Sequence, residues 1–142
     1  MIRATAFPSR VRILAAAMLV GAFAAGSALA ADVKVALSGA NEVPPVTTSA
    51  AGSGTITVAD DGSVSGSVSS TGVAGTAAHI HEAAAGKNGP VIIPLTKEGD
   101  TYKVPPGAKL NSAQMTSFKD GNLYVNVHSA ANPNGEIRGQ LK

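Results

Sequence analysis

The chain has 142 residues, with 11 Lys and Arg against 9 Asp and Glu, a formal net charge of +2 and a sequence pI near 9.1. Arg3, Arg10 and Arg12 lie in the first 30 residues, where no acid occurs, so residues 31–142 hold 8 basic against 9 acidic side chains and a net charge of −1. The remaining basic residues are scattered, which argues against nucleic-acid binding, since a domain of that kind keeps a positive patch in its folded part.

Residues 1–30 read as an export signal. Met1 to Arg12 carries the positive charge, Ile13 to Gly26 is almost wholly apolar or small, and Ala28-Leu29-Ala30 is a small-x-small cleavage site. An apolar run of roughly 14 residues is shorter than the ~20 needed to span hydrocarbon. Cleavage after Ala30 is therefore expected, leaving residues 31–142 as one domain without a membrane span in the periplasm or outside the cell. That domain has no cysteine, so it lacks the disulfides that many small exported domains rely on. Thiolate metal sites, iron–sulfur centres and cysteine nucleophiles are excluded with them.

The rest of the chain reads mostly as strands. Val33, Val35 and Leu37 alternate with Lys34 and Ala36, the period-two pattern of a half-buried strand. Asn41-Glu42-Val43-Pro44-Pro45 interrupts it, because proline cannot donate to a ladder. Residues 54–58 and 63–69 alternate on either side of Asp60-Asp61-Gly62, which predicts a hairpin. Residues 76–81, 90–95 and 101–104 are further extended segments, the first two separated by the Gly86-Lys87-Asn88-Gly89 turn. One short helix is expected from Asn111 or Ser112 to Lys119, with Leu110, Ala113, Met115 and Phe118 on one face and Gly121 ending it. Residues 123–128 form the clearest strand and residues 136–141 the last. The expected fold is all-β: a Greek-key β-sandwich or barrel of seven to eight short strands with one short helix.

The histidines carry the chemical signal. Residues 31–142 contain three, His79, His81 and His128. In His79-Ile80-His81 both imidazoles stand on one face of a strand while Ile80 faces the core. In the later strand Leu123, Val125 and Val127 form the apolar row, which sends Tyr124, Asn126 and His128 the other way. If the two strands are neighbours, three imidazoles converge on one metal ion at about 2.0 Å each. The donor set suits copper, zinc or nickel. The competing reading is three solvated or hydrogen-bonded histidines on a sheet surface. Folding residues 123–128 back onto 136–141 in a register centred on Asn132 places Glu136 opposite His128 and Arg138 opposite Asn126. Glu136 and Arg138 are thus candidates to tune the site from around the ligands, a carboxylate by fixing an imidazole tautomer and a guanidinium by attracting an anion. Met115 fits the core of the helix better than a thioether ligand.

Leu37-Ser38-Gly39-Ala40-Asn41-Glu42-Val43-Pro44-Pro45 resembles the opening of the CHRD domain, named after chordin and found in many bacterial exported proteins. Ala77-Ala78-His79-Ile80-His81, Gly89-Pro90-Val91, residues 123–128 and residues 135–141 resemble its later blocks in the same order. The resemblance implies an all-β domain of this length. A looser one, on the strand-borne His-x-His followed by an acid and a later strand ending in His, is to copper-zinc superoxide dismutases. It implies that His79, His81 and His128 are copper ligands, but a zinc site of that type and its disulfide have no counterpart here.

Three functions are therefore expected to compete: an exported copper-binding protein for metal storage, delivery or protection; an extracellular module that binds a protein or glycan without metal; and a copper redox enzyme of the dismutase kind. The first leads, so the chain is expected more as a binding protein than as an enzyme, and no catalytic residue is assigned.

Overall fold

The computed structural model describes residues 29–142; nearly all of the expected signal segment lies outside the described residues. Nine strands form one antiparallel sheet: β1 (Ala30–Ser38), β2 (Ala51–Ala59), β3 (Val64–Thr71), β4 (Gly75–Glu82), β5 (Val91–Pro94), β6 (Thr96–Glu98), β7 (Thr101–Lys103), β8 (Leu123–Ser129) and β9 (Ile137–Leu141). Their order is β5-β4-β8-β9-β1-β2-β3-β7-β6. The two ends of this order, β5 and β6, are consecutive pieces of one chain segment. Its first half pairs with β4 and its second half with β7, and Leu95 between them donates its N–H to Ala78 O at 3.0 Å. The sheet therefore curls into a nearly closed barrel, and the connections from β3 to β4 and from β7 to β8 cross between pairing neighbourhoods.

The expected all-β fold and its hairpin hold, with one addition to the strand count. Nine strands form where seven or eight were expected, because Thr96-Lys97-Glu98 is exposed, polar and without alternation. Its partner β7 supplies the order that its own sequence does not signal. The helix α1 (Ser112–Lys119) matches its expected span. Asn111 accepts from Gln114 N at 2.8 Å while Gln114 returns its side chain to Asn111 N at 2.9 Å, a reciprocal cap that satisfies two otherwise orphaned donors. Met115 and Phe118 pack against the core.

Alternation decides what fills the barrel. Val35 and Leu37 on β1, Ile56 and Val58 on β2, Ile80 on β4, and Leu123, Val125 and Val127 on β8 all point inward and are buried. Burial of a Val, Leu or Ile side chain is worth about 1.5–3 kcal/mol each, so this interior carries the domain without cross-links. The opposite face of β4, β8 and β9 is covered as well. Asn126, Tyr124 and Arg138 on that face are 1–2% exposed. The cover comes from the residues after β1, those between β4 and β5, and those between β8 and β9. They are tied down by Asn41 Nδ2 to Arg138 O (3.1 Å), Gln140 Nε2 to Ala83 O (2.8 Å), Asn88 Nδ2 to Val43 O (2.7 Å) and Thr48 Oγ1 to Glu136 Oε1 (2.8 Å). Around β4, β8 and β9 the sheet is thus sandwiched between an apolar interior and an outer polar layer roofed by loops. Among the described residues no helix is long and apolar enough to cross a membrane.

Candidate metal centre

Strands β4 and β8 are antiparallel neighbours, with Ala77 opposite His128, His79 opposite Asn126 and His81 opposite Tyr124. This pairing is the adjacency that convergence of the histidines required. His79 and His128 are diagonal neighbours with ring centroids 4.7 Å apart. His81 lies 5.6 Å from His79 and 6.1 Å from His128. One nitrogen from each ring falls within 4.8 Å of the other two. Three donors bound at about 2.0 Å in tetrahedral or trigonal geometry lie about 3.3–3.5 Å apart, so the widest pair has to close by up to about 1.5 Å to share one ion.

Hydrogen bonds fix the tautomers. His81 Nδ1 lies 3.0 Å from Gly89 O and His128 Nδ1 lies 2.9 Å from Pro133 O. A carbonyl only accepts, so both rings carry their proton on Nδ1 and present a bare Nε2. His128 Nε2 is 2.9 Å from His79 Nδ1, which must then be the donor. His81 Nε2 is buried and has no hydrogen-bond partner among the described residues. A buried acceptor left unmatched costs about 1–3 kcal/mol. Burial, followed by repulsion from His128 and His81, lowers the His79 pKa; burial above all lowers that of His81, against a raising contribution from the Gly89 carbonyl. Both rings therefore favour the neutral, ligating form.

Next to the cluster, the His81 ring stacks on Tyr124, with centroids 4.8 Å apart and planes 5° from parallel. Arg138 places its guanidinium carbon 3.4 Å from the Tyr124 centroid, a cation–π contact. Because β8 lies between β4 and β9 and all three side chains share the outer face, Tyr124 is flanked by His81 on one side and Arg138 on the other. The guanidinium otherwise meets neutral acceptors, Asn88 Oδ1 and Ala84 O at 3.3 Å and Gln140 Oε1 at 3.4 Å.

The β8–β9 register has Asn126 opposite Arg138, as expected. Glu136, however, sends its carboxylate away from the imidazoles. It accepts from Thr48 Oγ1 at 2.8 Å and Ser129 Oγ at 2.5 Å, and those two hydroxyls, Ser129 first, hold its pKa below the usual carboxylate value. Glu82 points toward α1 and accepts from Ser117 Oγ at 2.6 Å.

The residue that sequence reasoning left without a role is Glu42. It is 5% exposed, its Oε1 has no hydrogen-bond partner among the described residues, and burial raises its pKa to about 7 in spite of the Arg138 charge and the Asn126 amide. Asn126 Oδ1 is likewise buried without a partner. Gly135 makes the approach possible. An added Cβ there would stand 2.5 Å from Glu42 Oε1 and 2.7 Å from Asn126 Nδ2, and its φ of +129° suits glycine. Gly89 lies in the expected turn, yet its carbonyl orients His81 and its N–H donates to Tyr124 Oη at 3.2 Å. The alternation in residues 123–128 already put Tyr124 and Asn126 on the histidine face; nothing local announced that loops would bury them.

Among known proteins, the sequence model of the family described as CHRD domain matches residues 33–141. No curated protein and no solved structure matches the chain at a significant level.

Proposed function

The chain belongs to the CHRD-domain family, and from that premise we propose that it is an exported copper-binding protein, acting in metal storage, delivery or protection, with His79, His81 and His128 as ligands. The observation that carries the reading is the His81 Nε2 atom: buried, unpartnered, held bare by its own Nδ1–H bond to Gly89, and grouped with two more imidazole nitrogens. A purely structural histidine in a packed polar layer satisfies both ring nitrogens. Here one has no partner in hydrogen-bond geometry, with only the Asn126 amide near the ring. Partner carbonyls behind His81 and His128 are the arrangement that orients ligating imidazoles in metal sites. An all-imidazole set suits copper and zinc alike; copper is put first because a given nitrogen site generally binds Cu(II) more tightly than Zn(II). The export part of the reading rests on the tripartite sequence of residues 1–30.

The test is titration of the purified protein with Cu(II), Cu(I) and Zn(II) beside a triple His79→Ala, His81→Ala, His128→Ala variant whose fold is checked by circular dichroism. One equivalent of copper should bind to the wild type and be lost in the variant. Equal weak binding by both proteins would refute the assignment and favour a metal-free protein- or glycan-binding module.

A further inference from the structure

Resting on the copper-binding reading, we infer that the site is built to hold the singly charged cuprous ion in preference to Cu(II) or Zn(II). Three features of the surroundings lead there. The first is desolvation: His81 is 7% exposed and its ligand nitrogen is shut off from protein donors. His79 and His128 are half-buried, so the ion loses water mainly on the His81 side; because that cost grows with the square of its charge, the site still discriminates against a second positive charge.

The second is the lack of compensating anions. Neutral imidazoles bring no charge. Of the acids around them, Glu136 is committed to Thr48 and Ser129 and Glu82 to Ser117. Glu42 is buried beside Asn126 and Arg138, where its charged form is disfavoured. Divalent ions in proteins usually recruit carboxylates or thiolates, and none is placed to serve here.

The third is Arg138. Its guanidinium sits on one side of Tyr124 and His81 on the other, which puts a buried positive charge within about 8 Å of the ligand ring in a region of weak screening. Each additional charge on the bound ion is repelled by it. At an effective dielectric constant near 20, one extra unit charge at that separation corresponds to roughly a thirtyfold loss of affinity. Tyr124 acts as the spacer that keeps the cation from competing for the lone pairs while its field still reaches the ion.

The experiment compares Cu(I), Cu(II) and Zn(II) affinities of the full chain at pH 6.5, the first by anaerobic competition with bicinchoninate and the others with chelators of known strength. Cu(I) should bind most tightly. Arg138→Gln should shift the Cu(I):Cu(II) affinity ratio toward Cu(II) by about thirtyfold, whereas Arg138→Lys, which keeps the charge and loses the planar stack, should move it much less. Because Arg138 is buried and either variant can fail to fold, the reduction potential of the wild-type copper protein is the second readout, and it should lie above that of aqueous copper. Tighter Cu(II) or Zn(II) binding, a ratio unmoved by Arg138→Gln, or a potential below the aqueous couple overturns the inference while leaving copper binding intact. If none of the three ions distinguishes the wild type from the triple histidine variant, the copper reading itself fails and takes this inference with it.

Discussion

Glu42→Gln should make the protein more stable at alkaline pH and leave it nearly unchanged in acid. The carboxyl is almost wholly buried, and its folded-state pKa stands at about 7 against 4.5 when it is freely solvated. Between those values the folded chain holds a proton that the unfolded chain has released, so wild-type stability falls as pH rises through this window. Above pH 7 the accumulated cost is about 3 kcal/mol, reduced to the extent that water reaches the group. Below pH 4.5 the group is neutral in both states and the cost vanishes. Glutamine has the shape of the protonated acid, and its carbonyl oxygen can take the place of Oε1 beside Asn126 Nδ2. The lowered His79 and His81 pKa values act in the opposite sense, with stability lost as pH falls below 6.5, but they are common to both proteins and cancel in the difference. Urea unfolding of wild type and variant, followed by circular dichroism from pH 4.5 to 8.5, measures that difference directly. A gap that opens by about 2–3 kcal/mol between the extremes is expected. Parallel stability curves would refute the reasoning, because they would mean that the carboxyl ionises in the folded protein as easily as in water.

Two further outcomes follow from the same structure. Gly75→Ala should cost about 2–3 kcal/mol of stability by overpacking, since its Cβ would collide with the Tyr102 hydroxyl and meet the Val127 side chain at 3.0 Å; Tyr102→Phe, which removes a buried hydroxyl without a partner, should be neutral or mildly stabilising alone and restore a large part of the loss in the double variant, and denaturant melts of the four proteins would show simple additivity if the collision were not the cause. The rise in melting temperature on adding copper should persist at pH 6.5 and fade only at lower pH, because burial lowers the pKa values of His79 and His81 and neutral imidazoles are needed for binding; calorimetry showing a gain already lost above pH 7 would contradict that protonation state.

How far the sequence could be read depended on whether a signal was local. Period-two alternation in residues 123–128 fixed both faces of β8, and with it the side on which His128 emerges. A cap at Asn111 or Ser112 and Gly121 after Lys119 bounded α1, while the reciprocal bond from Gln114 emerged only in the structure. The connection over residues 130–136 is too long to set a register, but matching the inward rows of β8 and β9 pairs Val127 with Ile137 and Leu123 with Leu141 and so puts Arg138 opposite Asn126, since a one-residue slip would turn one row outward. Segment 96–98 was silent because three polar residues form a strand only when β7 is beside them. The buried outer layer was hidden for a related reason. Polar residues on a strand face ordinarily signal solvent, and only the arrival of loops distant in sequence, such as Thr48 on Glu136 and Asn88 on Arg138, turns that face into an interior. Glu42 sits in such a loop, so its burial could not be inferred from its neighbours.

The segment that runs from β5 to β6 has a consequence for aggregation. Unpaired strand edges invite other chains to add on, and proteins guard against this by shortening or covering them. Here a single stretch of chain pairs on one side with β4 and then, past Leu95, on the other side with β7. What stays open on its two flanks is only four and three residues long, too short to template a foreign strand. A domain with no disulfide to lock it gains resistance to aggregation from the path of its own backbone, which acts as a clasp across the seam of the barrel.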